Sequence, residues 1–197
     1  LAVMKLYDEG KIKLYDTIGT YLPYLRGTDK SRIPLIELLT HTSGMPAFIP
    51  FYKKICNNCR YIVPCPSDQF SVQIADSCYL RNDYQDSVRY KIAHCKLGAK
   101  KYVYSDLNFF FLKEMVEQIT GMPMDQYLQD NFYQPMGLRF TCFNPLRNGF
   151  SKNDIAPTEL DTLFRHQIVE GYVHDQTAAL FDGNAGNAGL FSTATEI

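Results

Sequence analysis

The clearest regularity along the chain runs over residues 107–119, where Leu107, Phe111, Met115 and Ile119 recur every four residues with Phe110, Leu112 and Gln118 beside them. Apolar positions at that spacing share one face of an α-helix, and Gly121 supplies its stop. Pro123 opens a second helix with Met124, Tyr127 and Leu128 as its buried face, and Pro135 and Gly137 close it. Upstream, Ala2, Val3 and Leu6 mark the tail of a helix that ends at Gly10. Pro34 fits the first turn of a short helix carrying Leu35, Leu38 and Leu39. That helix runs into His41-Thr42-Ser43-Gly44-Met45-Pro46, where Gly and Pro force a turn. Residues 72–92 read as one or two irregular helices. After Thr141 the pattern loosens into loop, up to a glycine-rich run over 183–189.

Composition narrows the function classes. The 197 residues are 46% hydrophobic and 21% charged, with a net charge of −1, and a chain of that length buries most of its apolar surface on folding. A near-neutral chain lacks the counterion-release drive that holds proteins on nucleic acid, so no such partner is expected. No apolar run approaches the roughly 20 residues of a transmembrane helix. The small net charge hides an asymmetry. Residues 53–101 hold nine Lys or Arg against four Asp, whereas the remainder holds eleven basic and seventeen acidic residues. Five of the six cysteines (Cys56, Cys59, Cys65, Cys78 and Cys95) lie in the same stretch. Residues 51–101 therefore read as a separate basic, Cys-rich insertion. The chain begins Leu1-Ala2-Val3 and is expected to be a piece of a longer protein.

Tyr104-Ser105-Asp106 stands directly before the 107–119 helix. Ser105 or Asp106 is placed to act as its N-cap, accepting a bond from an otherwise orphan N–H. Tyr104 is a candidate general acid or base, but a phenol ionises near pH 10 and needs a neighbouring cation to work near neutrality, at about pH 7. Lys100 and Lys101 are close in sequence, yet a chain leading straight into a helix does not fold them back onto Tyr104. His41-Thr42-Ser43-Gly44 lacks the Gly-x-Ser-x-Gly elbow of a nucleophilic serine, and a helix C-terminus favours cations over a developing oxyanion. It reads as a turn with satisfied side chains. Cys56-x2-Cys59 has zinc-ligand spacing, with Cys65, Cys78, His94 or Cys95 available to complete a set. A second C-x2-C pair is missing, and free thiols or one disulfide in an exported loop fit as well, so no metal is assigned. His174-Asp175 are adjacent and point to opposite faces of a strand, which favours a structural role. The 183–189 run lacks a phosphate-loop pattern and lets backbone pass close to other backbone or to a ligand.

Taken together and in order, these segments resemble the serine β-lactamase-like hydrolases, the family of class C β-lactamases, DD-peptidases and related esterases. The stretch from Ala2 to Lys11 followed by Tyr21-Leu22-Pro23 is similar to the segment just after that family's nucleophile helix. Leu38-Leu39-Thr40-His41-Thr42-Ser43-Gly44-Met45-Pro46 resembles its most recognisable stretch, and Tyr104-Ser105-Asp106-Leu107-Asn108-Phe109 matches the position of its Tyr-x-Asn motif. Gln134-Pro135-Met136-Gly137-Leu138 and Ala188-Gly189-Leu190-Phe191-Ser192-Thr193-Ala194 resemble later family segments.

The resemblance implies an α+β fold of the β-lactamase/DD-peptidase (transpeptidase-like) kind, with this chain supplying mainly the helical lobe. It implies a Ser-x-x-Lys serine that is acylated, with catalytic Tyr104 sharing its proton, Asp106 in the substrate-contacting position usually held by Asn, and Ser105 and Gly189 in support. It implies amide or ester substrates, small or peptidoglycan-like, an extracytoplasmic location, and no cofactor. No Ser-x-x-Lys occurs in these residues, and the family's Lys-Thr-Gly or His-x-Gly strand is absent too. The nucleophile helix and the C-terminal strands are thus expected outside the chain, and the fragment is expected to be inert alone. The alternative is a non-catalytic interaction module that keeps the hydrolase fold.

Overall fold

The computed structural model describes residues 1–56 and 58–197. In chain order its helices are α1 (Ala2–Asp8), α2 (Ile18–Tyr21), α3 (Leu35–Leu39), α4 (Tyr84–His94), α5 (Asp106–Thr120), α6 (Met124–Leu128) and α7 (Gln176–Leu180). The strands are β1 (Ile62–Val63), β2 (Val72–Ala75), β3 (Cys78–Leu80), β4 (Cys142–Phe143), β5 (Glu159–Asp161), β6 (Gln167–Val169) and β7 (Leu190–Phe191). The mixture is 38% helical, and it divides into two compact units, residues 1–49 with 90–136, and residues 50–89 with 137–197.

The first unit is helical and is built on α5. Leu107, Phe110, Phe111, Leu112, Met115 and Val116 are all buried on this one helix, a wider apolar surface than the stripe of a helix that faces water on one side. The surface is wide because α1, α2, α3 and α6 all pack against it. They contribute Ala2 and Leu6, Ile18, Leu35 and Leu38, and Met124, Tyr127 and Leu128, each buried. Glu117 ties two of these helices together. Its carboxylate accepts a bond from Lys113 Nζ at 2.8 Å and another from the Met124 N–H at 3.0 Å, at the head of α6. Lys30, only 1% exposed, is tolerated in this interior because Asp29 pairs with it at 2.6 Å and the Cys95 carbonyl accepts a further bond.

The second unit holds all the described strands. β1, β3 and β2 form an antiparallel sheet in that order, with Leu80 opposite Ile62 on one side and Val72 on the other. The expectation of helix over 72–92 therefore holds only for its second half, as α4. Residues 72–80 are a hairpin, turned by Ser77 in the left-handed region at φ 47°, and the β-branched and aromatic Val72, Ile74 and Tyr79 suit strands. The stretch after Thr141, read as loop, contains the β4–β7 and β5–β6 pairs and α7. These elements are too short to show periodicity, and β5–β6 is organised by buried charge instead. Asp161 accepts bonds from the Leu163, Phe164 and Arg165 N–H groups and from Arg165 Nε at 2.7 Å. The same guanidinium donates to the Val173 and His174 carbonyls, each at 2.7 Å, and to Glu159 at 3.1 Å. Burial alone raises the Asp161 carboxyl, but Arg165 and the three amides outweigh it and hold the group below its usual value.

Two stability outcomes follow from this packing. Phe111→Ala removes a ring that is 1% exposed and should cost about 3–5 kcal/mol in urea unfolding, as large-to-small core changes do. A loss under about 1 kcal/mol would contradict the central place given to α5. For Asp161, a folded pKa below the unfolded value of about 3.9 means its contribution is complete above that pH and lost as pH falls through the lower folded value. Asp161→Asn should lower the unfolding midpoint at neutral pH and flatten its acid dependence, and an unchanged acid slope would count against it.

Candidate active site

The site grows from the turn that follows α3. His41 adopts a left-handed backbone at φ 56°, a conformation His visits more readily than most side chains, and this reverses the chain towards the segment that enters α5. Main-chain bonds then clip the two segments together. Gly98 N–H donates to the Gly44 carbonyl at 2.7 Å, Val103 N–H to the His41 carbonyl at 2.9 Å, and Asp106 N–H to the Ala47 carbonyl at 3.2 Å. Gly44 is required twice over. Its φ is 80°, and a Cβ there would lie 2.8 Å from the Gly98 carbonyl oxygen.

Beneath the clip runs a largely buried chain of polar groups. Met45 N–H donates to Ser43 Oγ at 3.2 Å, and Ser43 Oγ–H donates to Asn108 Oδ1 at 2.6 Å. Asn108 Nδ2 then approaches His41 Nδ1 at 3.4 Å, and Ser105 N–H donates to the same nitrogen at 3.0 Å. Ser43, Ser105 and Asn108 are all at most 2% exposed, so each of these groups needs a partner. Ser43 is thereby committed to the turn and is not presented as a nucleophile.

Ser105 departs from one expectation. It does occupy the N-cap position of α5, with extended backbone, but its side chain makes no cap bond. The hydroxyl donates instead to the Pro46 carbonyl at 2.6 Å. Backbone acceptors from the facing turn serve the head of the helix in its place. Asp106 is the first residue of α5 and lies in its first turn, where a carboxylate meets the positive end of the helix dipole.

Tyr104 projects from this fixed base and is 60% exposed. Its ring lies 4.6 Å from the His41 ring at an interplanar angle of 35°. Tyr102 meets His41 edge-on at 6.1 Å and Phe109 lies 5.3 Å from it. Lys100 is engaged elsewhere, pairing with Glu37 at 2.7 Å. Tyr104, Ser105 and Asp106 thus stand together in the first unit, joined by His41 and Asn108, which the sequence reading did not assign to a site. The signal for Asn108 was a polar residue set within the apolar run Leu107 to Leu112.

Gly189 belongs to the second unit. At φ 118°, a Cβ would fall 2.0 Å from the Gly183 carbonyl oxygen and 3.0 Å from Phe143, so backbone passes against backbone where β7 begins. Also there, Asp175 caps α7 by accepting from Ala178 N–H at 2.6 Å, and the Thr158 carbonyl accepts from His174 Nδ1 at 3.1 Å. All six cysteines are free thiols. Cys56 Sγ lies 3.5 Å from His166 Nε2, and burial pushes the Cys78 thiol up to about 11. Among the described residues no three His, Cys, Asp or Glu side chains converge in a metal-binding group.

Known proteins resemble this chain in sequence and in fold. The chain is 31% identical over 220 residues to an N-acetylmuramyl-L-alanine amidase of Bacillus subtilis (strain 168), covering 100% of the chain and 44% of that protein. It therefore spans less than half the length of that relative. An octameric penicillin-binding protein homologue from Pyrococcus abyssi superimposes with a TM-score of 0.62 at 19% identity, covering 99% of this chain and 40% of that one. A β-lactamase/D-alanine carboxypeptidase from Yersinia pestis does so with a TM-score of 0.55 at 21% identity, over 98% and 46%. These likenesses give the β-lactamase/transpeptidase-like fold. With the Beta-lactamase family model matching residues 1–197 throughout, the chain belongs to the β-lactamase family of hydrolases.

Proposed function

We propose that these residues form the proton-handling part of a serine hydrolase that cleaves amide or ester bonds through an acyl-enzyme. The observation that carries the reading is the buried chain from Met45 through Ser43, Asn108 and His41 to Ser105. It fixes the residue next to Tyr104 while leaving Tyr104 itself exposed. A group that moves protons must be held in place and remain reachable by the reacting atoms.

In this reading the nucleophilic serine and its lysine come from residues other than these, because no serine here has a lysine three positions later. The lysine ammonium supplies the cation that makes a phenolate accessible near neutral pH. The Tyr104 oxygen takes the serine proton as that serine attacks the acyl carbonyl, then returns it to the leaving group, and water releases the acyl chain. Asp106, where an amide would both donate and accept, only accepts, which selects substrates offering an N–H. The relatives are named as an amidase and a carboxypeptidase. Those names favour cell-wall peptides containing D-amino acids, hydrolysed outside the cytoplasm. Among the described residues no helix is long and apolar enough to cross a membrane. No step uses a metal or organic cofactor.

Two outcomes test the reading. The 197-residue chain alone should show no mass increase after incubation with a fluorophosphonate or a β-lactam, and stoichiometric acylation would overturn the placement of the nucleophile elsewhere. In the protein that also carries Ser-x-x-Lys, Tyr104→Phe should lower kcat/KM for an acyl ester about 10²- to 10⁴-fold. A change smaller than about threefold would remove Tyr104 from the proton path.

A further inference from the structure

The polar chain beneath Tyr104 has a direction, and the direction fixes the protonation state of its central ring. Both groups facing His41 Nδ1 are donors: the Ser105 main-chain N–H at 3.0 Å and the Asn108 carboxamide Nδ2 at 3.4 Å. The main-chain amide cannot reverse. Asn108 stands the same way round, with its Oδ1 accepting from the Ser43 hydroxyl and its Nδ2 turned to the ring. His41 Nδ1 must therefore present its lone pair, and the imidazole carries its single hydrogen on Nε2. The same ring supports Tyr104 at 4.6 Å.

We propose that His41 is a positioning residue for Tyr104, and that it works only as the neutral Nε2–H imidazole. The proposal rests on the reading of Tyr104 as the acid/base group. An imidazolium would set a third N–H against two donors in a pocket where Ser105 and Asn108 are buried, so protonation at His41 releases the amide beside Tyr104 and loosens its ring. Among the described residues, the phenols of Tyr102 and Tyr104 pack on the imidazole, and Phe109 and Asn108 of α5 also meet it. On the α3 side Glu37 and Lys100 pair with one another.

Asparagine separates position from chemistry. It also tolerates the left-handed backbone, and its Oδ1 can stand where Nδ1 accepts. His41→Asn should therefore retain the bond from Ser105 N–H, whereas His41→Leu loses it. In the protein with its nucleophile, His41→Leu should lower kcat at least about tenfold with KM little changed, as misplacement of a catalytic group does. His41→Asn should recover most of that loss. Equal kcat for His41→Leu and wild type, or equal loss in both variants, overturns the proposal.

Nitrogen NMR of the wild-type imidazole supplies a readout independent of turnover and of variant folding. The Nε2–H form, with Ser105 amide exchange accelerating as His41 protonates, supports the assignment. An Nδ1–H form at neutral pH overturns it. If wild type neither turns over nor is acylated, the acid/base reading of Tyr104 fails, and the NMR result still decides whether His41 holds the segment.

Discussion

The amide hydrogens at the head of α5 need acceptors that the helix itself cannot supply. In most helices a capping side chain meets part of that need. Here the Ser105 hydroxyl is turned away to Pro46, and the acceptors come from the His41–Ala47 turn as an imidazole nitrogen and a carbonyl. This exchange makes the turn after α3 and the start of α5 one structure. Without the left-handed backbone at His41 the turn would not face the helix, and without Gly44 the approach of Gly98 would be blocked.

The rest of the first unit keeps that joint still. α5 is buried against α1, α2, α3 and α6, so its first turn cannot drift relative to the short helix that delivers His41. Glu117 extends the restraint by holding the start of α6. Hydrophobic burial supplies the stability, and the polar chain supplies the register. A fully satisfied buried network of this kind favours a single arrangement over its alternatives, since any slip leaves a donor or acceptor unpaired in a low-dielectric interior.

What the sequence made legible follows physical lines. α5 and α6 were readable because Phe111, Met115, Met124 and Leu128 repeat at helical spacing. The position of Tyr104 followed from the segment order, and its attachment did not. The bonds between His41 and Ser105 span 64 residues, and no local pattern encodes which of two ring nitrogens faces which amide. The hairpin over 72–80 was read as helix because its strands are only four and three residues long. The β5–β6 pair was invisible for a related reason. Asp161 and Arg165 are four apart and look like a surface helical pair, whereas both are buried in a hairpin.

The clip between the two segments has a final consequence. Its rungs at Gly98, Val103 and Asp106 are made by main-chain groups alone, so they do not depend on which side chains stand between them. Between the rungs Lys100, Lys101 and Tyr102 are exposed, and the side chain at Lys101 can be exchanged without touching a rung. That stretch borders Tyr104 and faces solvent. The fold thus separates two kinds of change: exposed side chains between the rungs can vary, while the main-chain geometry that carries Tyr104 stays constant beneath them.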